Sequence, residues 1–140
     1  MDAEVSPTLS DDGCHAVETR QATHDDVATL ARLNAAFNGV HEPPERLAER
    51  LSDPACVEIA ILAEIEGLGV GFAGLRLVPC LFADAILAEL TELYVDPSCR
   101  RRGVGLALIG HAERLAQQAG ARELCLATGF DNQIGQAFYR

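Results

Sequence analysis

The stretch Glu89-Leu90-Thr91-Glu92-Leu93-Tyr94-Val95-Asp96-Pro97-Ser98-Cys99-Arg100-Arg101-Arg102-Gly103-Val104-Gly105, which runs on into an amphipathic segment ending near Gln118, decides how this chain is read. Pro97 lacks the N–H that a sheet ladder needs, so a strand ends at Asp96-Pro97 and an arginine- and glycine-rich turn leads into a helix. The first turn of a helix carries N–H groups without intrahelical partners and partial positive charge from the macrodipole. Gly103 and Gly105 remove Cβ atoms that would hold a phosphate off those amides, and Arg100, Arg101 and Arg102 add charge and forked donors. A pyrophosphate suits such a junction.

The spacing narrows the choice of pyrophosphate. A Walker A loop needs a lysine after its second glycine, and the chain has no lysine, so nucleotide triphosphate binding of that kind is excluded. Gly103-Val104-Gly105-Leu106-Ala107-Leu108 also lacks the third small residue of a dinucleotide fingerprint. What remains is Arg100-x-x-Gly103-x-Gly105 between a strand and a helix, followed downstream by Asn132-Gln133-Ile134-Gly135-Gln136-Ala137-Phe138-Tyr139. This combination resembles the acyl-CoA loop and late Asn-Ala-Tyr segment of the GNAT superfamily of N-acetyltransferases. The resemblance implies an α/β fold with a mixed central sheet flanked by helices, in which splayed parallel strands form the CoA cleft. It also implies acetyl-CoA as co-substrate, no metal, and a primary amine, on a small molecule or a peptide, as acceptor.

The apolar pattern of the strand before the loop carries its own information. Ile86, Ala88 and Leu90 alternate, then Leu93 and Val95 alternate one position out of phase. Side chains in a strand repeat every two residues, so a slip of one is the mark of a β-bulge between Leu90 and Leu93. In the family a bulge here helps splay the strand, and the pantetheine arm bonds to the exposed backbone, a role that falls on Leu93, Tyr94 and Val95. The same resemblance assigns Arg100, Arg101, Arg102, Gly103, Val104, Gly105 and Leu106 to the pyrophosphate, and Asn132 to the cofactor arm, although Asn132 also suits an N-cap of the last helix.

Acetyl transfer to an amine needs a proton acceptor for the amine and a proton donor for the departing thiolate. Glu89 lies fourteen residues before Gly103, where some members of the family that this chain resembles carry a general-base glutamate, and Glu92 lies nearer the bulge; either can serve as base, directly or through water. Tyr139 matches the tyrosine that protonates the CoA thiolate in many family members, and a phenol with pKa about 10 suits that task; packing of Phe138-Tyr139 is the plain alternative. A non-catalytic acyl-CoA-binding module of the same fold is the competing functional reading. Serine-hydrolase and zinc-protease patterns are absent: there is no Gly-x-Ser-x-Gly and no His-x-x-x-His.

Working outward, residues 1–15 hold no hydrophobic period and read as a disordered tail, leaving 16–140 as one domain. Residues 16–22 form a first strand. Thr23 and Asp26 spell a capping box ahead of a helix carrying Val27, Leu30, Ala31, Asn34 and Phe37. Asn38-Gly39 ends it, and Pro43-Pro44 opens a second helix that Asp53-Pro54 stops. In the family the loop between two such helices lines the acceptor pocket, which makes Asn38, His41 and Glu42 candidate acceptor contacts. Residues 56–65 and 70–78 make a hairpin, with Gly71 and Gly74 marking close packing or a bulge.

The helix after Gly103 is expected to bury Val104, Ala107, Leu108, Ala112 and Leu115, with His111 a satisfied histidine on the apolar side and Gly120 as the stop. Glu123-Leu124-Cys125-Leu126-Ala127-Thr128 then forms a parallel strand in which Cys125 fills the core. Family members usually run on for about two more strands. A sequence ending at Arg140 is therefore expected to expose a strand edge, which a longer natural chain or a homodimer would cover.

Composition bounds the rest. A net charge of −10 repels nucleic acid, and no apolar run approaches the roughly 20 residues of a membrane span. Five scattered cysteines, an odd number without a Cys-x-x-Cys pair, point to a reducing cytoplasm.

Overall fold

The computed structural model describes residues 16–126. Five strands form one sheet in the order β1-β2-β3-β4-β5: β1 Val17–Gln21, β2 Glu58–Ile65, β3 Leu68–Pro79, β4 Ile86–Val95 and β5 Leu124–Leu126. The first four are antiparallel neighbours, and β5 joins β4 in parallel, with Ala88, Glu89 and Leu90 opposite Leu124, Cys125 and Leu126. Helices α1 Val27–Asn38 and α2 Pro44–Ser52 lie between β1 and β2, and α3 Val104–Gln118 links β4 to β5. A helix-containing crossover is what a parallel neighbour requires.

The period of two along each strand sends one set of side chains to α3 and the other to α1. Ile61, Ala63, Val70, Ala73, Leu75, Ala88 and Leu90 meet Val104, Leu108, Ala112 and Ala116 of α3 in the main core. On the opposite face Leu62, Phe72 and Tyr94 pack with Leu30 and Leu33 of α1. Truncating Leu108, which is wholly buried, to alanine costs about 2–5 kcal/mol. The α3 stripe differs in detail from the expected one: Ala107 and Leu115 are half-buried, and Ala116 is a fully committed core residue. A run of alanines offers several nearly equivalent helix faces, and the approach of the sheet picks among them.

Gly71 governs that approach. A Cβ there would stand 2.7 Å from the Tyr94 carbonyl oxygen and 3.2 Å from Val104 Cγ1, so only glycine lets α3 sit down on β3. Thr23 and Asp26 close the anticipated capping box around a short 3-10 turn, His24–Asp26, that leads directly into α1. Cys125 departs from the expectation: it is exposed. Leu124 and Leu126 take the α3 side, and alternation turns the residue between them to the other face.

Candidate active site

The bulge read from the sequence is present. Leu75 pairs with Leu90 and Gly74 with Glu92, leaving Thr91 as the extra residue on β4. Thr91 and Glu92 thus both come to lie against Gly74. The pairing of β4 with β5 covers Ala88 to Leu90, so the backbone of Leu93, Tyr94 and Val95 follows the paired segment on β4.

At the end of β4 the chain turns through a short 3-10 segment, Pro97–Cys99, capped by the Asp96 carboxylate, which accepts from the Ser98 amide at 2.9 Å. Cys99 is buried and pins the turn to the core. Arg101 and Gly103 both adopt left-handed backbone, φ 69° and 81°, and α3 begins immediately afterwards with no side-chain cap. Gly103 meets open space where a Cβ would project. A non-glycine residue in the left-handed region is unfavourable by roughly 1 kcal/mol or more, and such strain gathers at ligand-binding turns. Val104 is buried, Gly105 half-buried and Leu106 largely exposed, and the first-turn amides of α3 point back along the helix axis toward the loop. The arginines differ among themselves. Arg100 Nε donates to the Val95 carbonyl at 3.1 Å, tying the loop to the strand end, while Arg101 is exposed and Arg102 half-exposed. The turn therefore fits a pyrophosphate in backbone form and in charge.

The two candidate bases have different surroundings. Glu89 is ion-paired with Arg76, whose Nε donates to it at 3.1 Å and whose own pKa is raised by that bond. Among the described residues no arginine is ion-paired with Glu92. Asn38 Nδ2 lies 3.5 Å from its Oε1, and its pKa is raised, first by burial and further by the charge of Glu58, while the Asn38 contact opposes the rise. Beside it, Phe37, Phe72 and Tyr94 form an aromatic cluster, with the Phe37 and Tyr94 rings 5.2 Å apart. Burial and the nearby Asp96 raise the Tyr94 phenol.

Of the three acceptor candidates, Asn38 is brought to Glu92 and also donates to Asn34 at 2.6 Å. Glu42 instead holds Arg50 of α2 at 3.2 Å, and His41 is exposed in the loop. His111 is a satisfied histidine: its Nδ1 is 2.8 Å from the Thr19 hydroxyl, and burial lowers its pKa. Asn132 and Tyr139 lie outside the described residues. Among the described residues no group of three or more His, Cys, Asp or Glu is placed to hold a metal ion, and no helix is long and apolar enough to cross a membrane.

Reading the sequence alone missed Glu58, Thr91 and Arg76. Their signal lay in the hairpin register, which sets Glu58 opposite Arg76 and Arg76 opposite Glu89 in one row across the sheet. An unexpected bulge at Val70, between the Ala63–Gly71 and Glu64–Gly69 pairs, shifts that register by one and hides the row from a simple count.

A mixed sheet with a bulged β4, a glycine turn and a helix start is the frame of an acyl-CoA transferase. The acetyltransferase (GNAT) family matches across residues 24–140, and the chain belongs to that family. It is 35% identical over 83 residues to an uncharacterised N-acetyltransferase of Methanocaldococcus jannaschii, covering 56% of this chain and 35% of that protein. It is 38% identical over 95 residues to an aminoglycoside N(6')-acetyltransferase type 1 of Klebsiella aerogenes, covering 65% of this chain and 60% of that one. The chain thus spans about a third to three fifths of these relatives. Among solved structures, the aminoglycoside N-acetyltransferase AAC(6')-Iy in complex with CoA superposes with a TM-score of 0.75 at 23% identity, over 89% of this chain and 85% of that one, a likeness of fold.

Proposed function

We propose that the chain is an acetyl-CoA-dependent N-acetyltransferase that acts by direct attack of a primary amine on the thioester, with Glu92 as the base. The observation that carries this reading is the convergence of a bulged β4, a half-buried carboxylate with no ion-paired arginine among the described residues, and a helix start behind a left-handed glycine turn. The α3 amides with Arg101 and Arg102 hold the pyrophosphate, while the β4 backbone from Leu93 to Val95 runs along the pantetheine. The amine nitrogen bonds to the acetyl carbon and the carbon–sulfur bond breaks. Glu92 takes the amine proton, directly or through one water, and Tyr139 returns a proton to the thiolate.

Glu92 is favoured over Glu89 because Glu89 is committed to an ion pair with Arg76, whereas burial makes Glu92 more basic. The acceptor is a cationic small molecule with more than one amine. Glu58 and Glu92 give the acceptor side negative character, and the relatives named for aminoglycosides support the choice. A reducing cytoplasm fits the free thiols of Cys56, Cys80, Cys99 and Cys125. Release of free CoA thiol with a panel of aminoglycosides, polyamines and peptides tests the reading. Acetyl-CoA binding without turnover on any amine would favour the binding-module alternative.

A further inference from the structure

On the sheet face that packs against α1, three side chains converge on a single missing Cβ. A Cβ at Gly74 would stand 2.5 Å from Thr91 Oγ1, 3.3 Å from Glu92 Cγ and 3.5 Å from Glu58 Oε2. Thr91 donates its hydroxyl hydrogen bond to Glu58 Oε2, reaching from β4 over β3 to β2. Glycine 74 is therefore the gap through which the bulge residue is tethered two strands away. An alanine there would push the tether and Glu92 aside together.

We propose that Glu58, anchored to Thr91 across Gly74, is a positioning residue for acetyl transfer: it holds the bulge of β4 in the form that aims Glu92 at the acceptor amine. The inference rests on Glu92 being the base. The bulge residue has no opposite number on β3, so the ladder does not hold its backbone there, and a side-chain tether supplies what the ladder omits. Position matters here because misplacement of a catalytic group by about 1 Å can cost 100-fold in rate. The tether has an electrostatic consequence as well: the Glu58 carboxylate disfavours the ionised form of Glu92. The charged groups beside Glu92 on this face are Glu58 from β2, Arg76 from β3 and Glu89 from β4, and Arg76 is engaged by Glu89; farther along it Arg20 of β1 holds Asp26 and Glu64, while α1 contributes the neutral Asn38 and Arg32, which donates to the Gly69 carbonyl.

The test uses Glu58→Gln, which keeps an oxygen to accept from Thr91 but removes the charge, and Thr91→Val, which keeps the shape but removes the hydroxyl. The Glu92 carboxyl is followed by NMR titration, and kcat and KM are measured across pH. Glu58→Gln is expected to move the Glu92 titration and the acidic limb of kcat/KM to lower pH together. Thr91→Val is expected to lower kcat by on the order of tenfold with the acetyl-CoA KM unchanged, and Thr91→Ser to restore it. An unmoved Glu92 titration in Glu58→Gln, with wild-type kcat in Thr91→Val, overturns the inference. Full turnover by Glu92→Gln would instead overturn the assignment of the base, a result the carboxyl titration of Glu58→Gln does not depend on.

Discussion

Two carboxylate groups on the same face of the sheet are built in opposite ways. Near β1, Asp26 and Glu64 share Arg20, which grips Asp26 with two bonds of 2.8 Å and Glu64 with two of 3.1 and 3.2 Å. Asp26 also accepts from the Thr23 amide at 2.8 Å, and these bonds, Arg20 foremost, hold its pKa down at about 2 despite its burial. Around the bulge, Glu92 has the Asn38 amide and the nearby Glu58 carboxylate, and its pKa is raised, first by burial. Satisfying a buried charge stabilises a fold; leaving one under-neutralised keeps a base reactive. The first cluster ties the capping box of α1 to the sheet, and the second adjoins the bulge of β4.

The sharpest break of this contrast is Glu92→Gln. Removal of a general base lowers rate by about 100-fold or more, so kcat/KM should fall by that factor in the free-thiol assay. Stability should move the other way. A group whose folded pKa is raised contributes most below its unfolded pKa and loses that contribution as pH rises, so ionised Glu92 weakens the fold at neutral pH. A slight rise in Tm, seen calorimetrically at pH 7, is the expected companion of the lost activity. Wild-type turnover would remove Glu92 from the mechanism.

The same opposition should divide activity from stability in the unmodified protein as pH falls. Glu92 works as the anion, so kcat/KM should decline on acidification through a pKa above the ordinary glutamate value of 4.5. Asp26 has a folded pKa of about 2 against an ordinary 3.8, so its stabilisation is complete above the higher value and is lost only as pH falls toward the lower. An interval of folded, reversibly inactive protein should open between the two limbs, as circular dichroism and rate assays on the same samples would show. Coincident loss of fold and rate would contradict it.

Asp26→Asn tests the structural member of the pair. It leaves Arg20 with Glu64 alone and weakens the capping box, which should cost roughly 1–3 kcal/mol in denaturant unfolding while kcat per folded molecule stays unchanged. A fall in kcat equal to that of Glu92→Gln would erase the distinction between the clusters.

What the sequence made legible follows the range of the interactions involved. The capping box, the glycine turn, the helix start and the parallel β5 are local or follow from chain order, and each is in place. The β4 bulge was legible because a one-residue slip shows in a hydrophobic pattern. Glu89 and Glu92, three residues apart, could not be told apart, since the difference lies in Arg76 and Asn38, which reach them from other elements. The ion pair of Glu42 was hidden for the same reason: Arg50, its partner, comes from the next helix. Cys125 was misplaced because Leu124, Cys125 and Leu126 are all apolar, so the run shows no alternation from which to fix the buried face.

The smallest expected effect, and the finest probe of the contrast, is at Asn38. Its amide donates toward Glu92 at 3.5 Å, a long and partly exposed contact that favours the ionised carboxylate without neutralising it. Asn38→Ala removes that help, so the Glu92 titration and the acidic limb of kcat/KM should move to higher pH, opposite in sign to Glu58→Gln. The rate at high pH, where Glu92 is ionised in any case, should fall only about two- to fivefold, the effect of a weak hydrogen bond. A residue that simply held the acceptor would raise the amine KM and leave the limb where it was. Opposite shifts from Asn38→Ala and Glu58→Gln would show that the carboxylate near the bulge is tuned from both sides by neighbours that never touch the thioester; an unmoved limb with a raised KM would assign Asn38 to the acceptor instead.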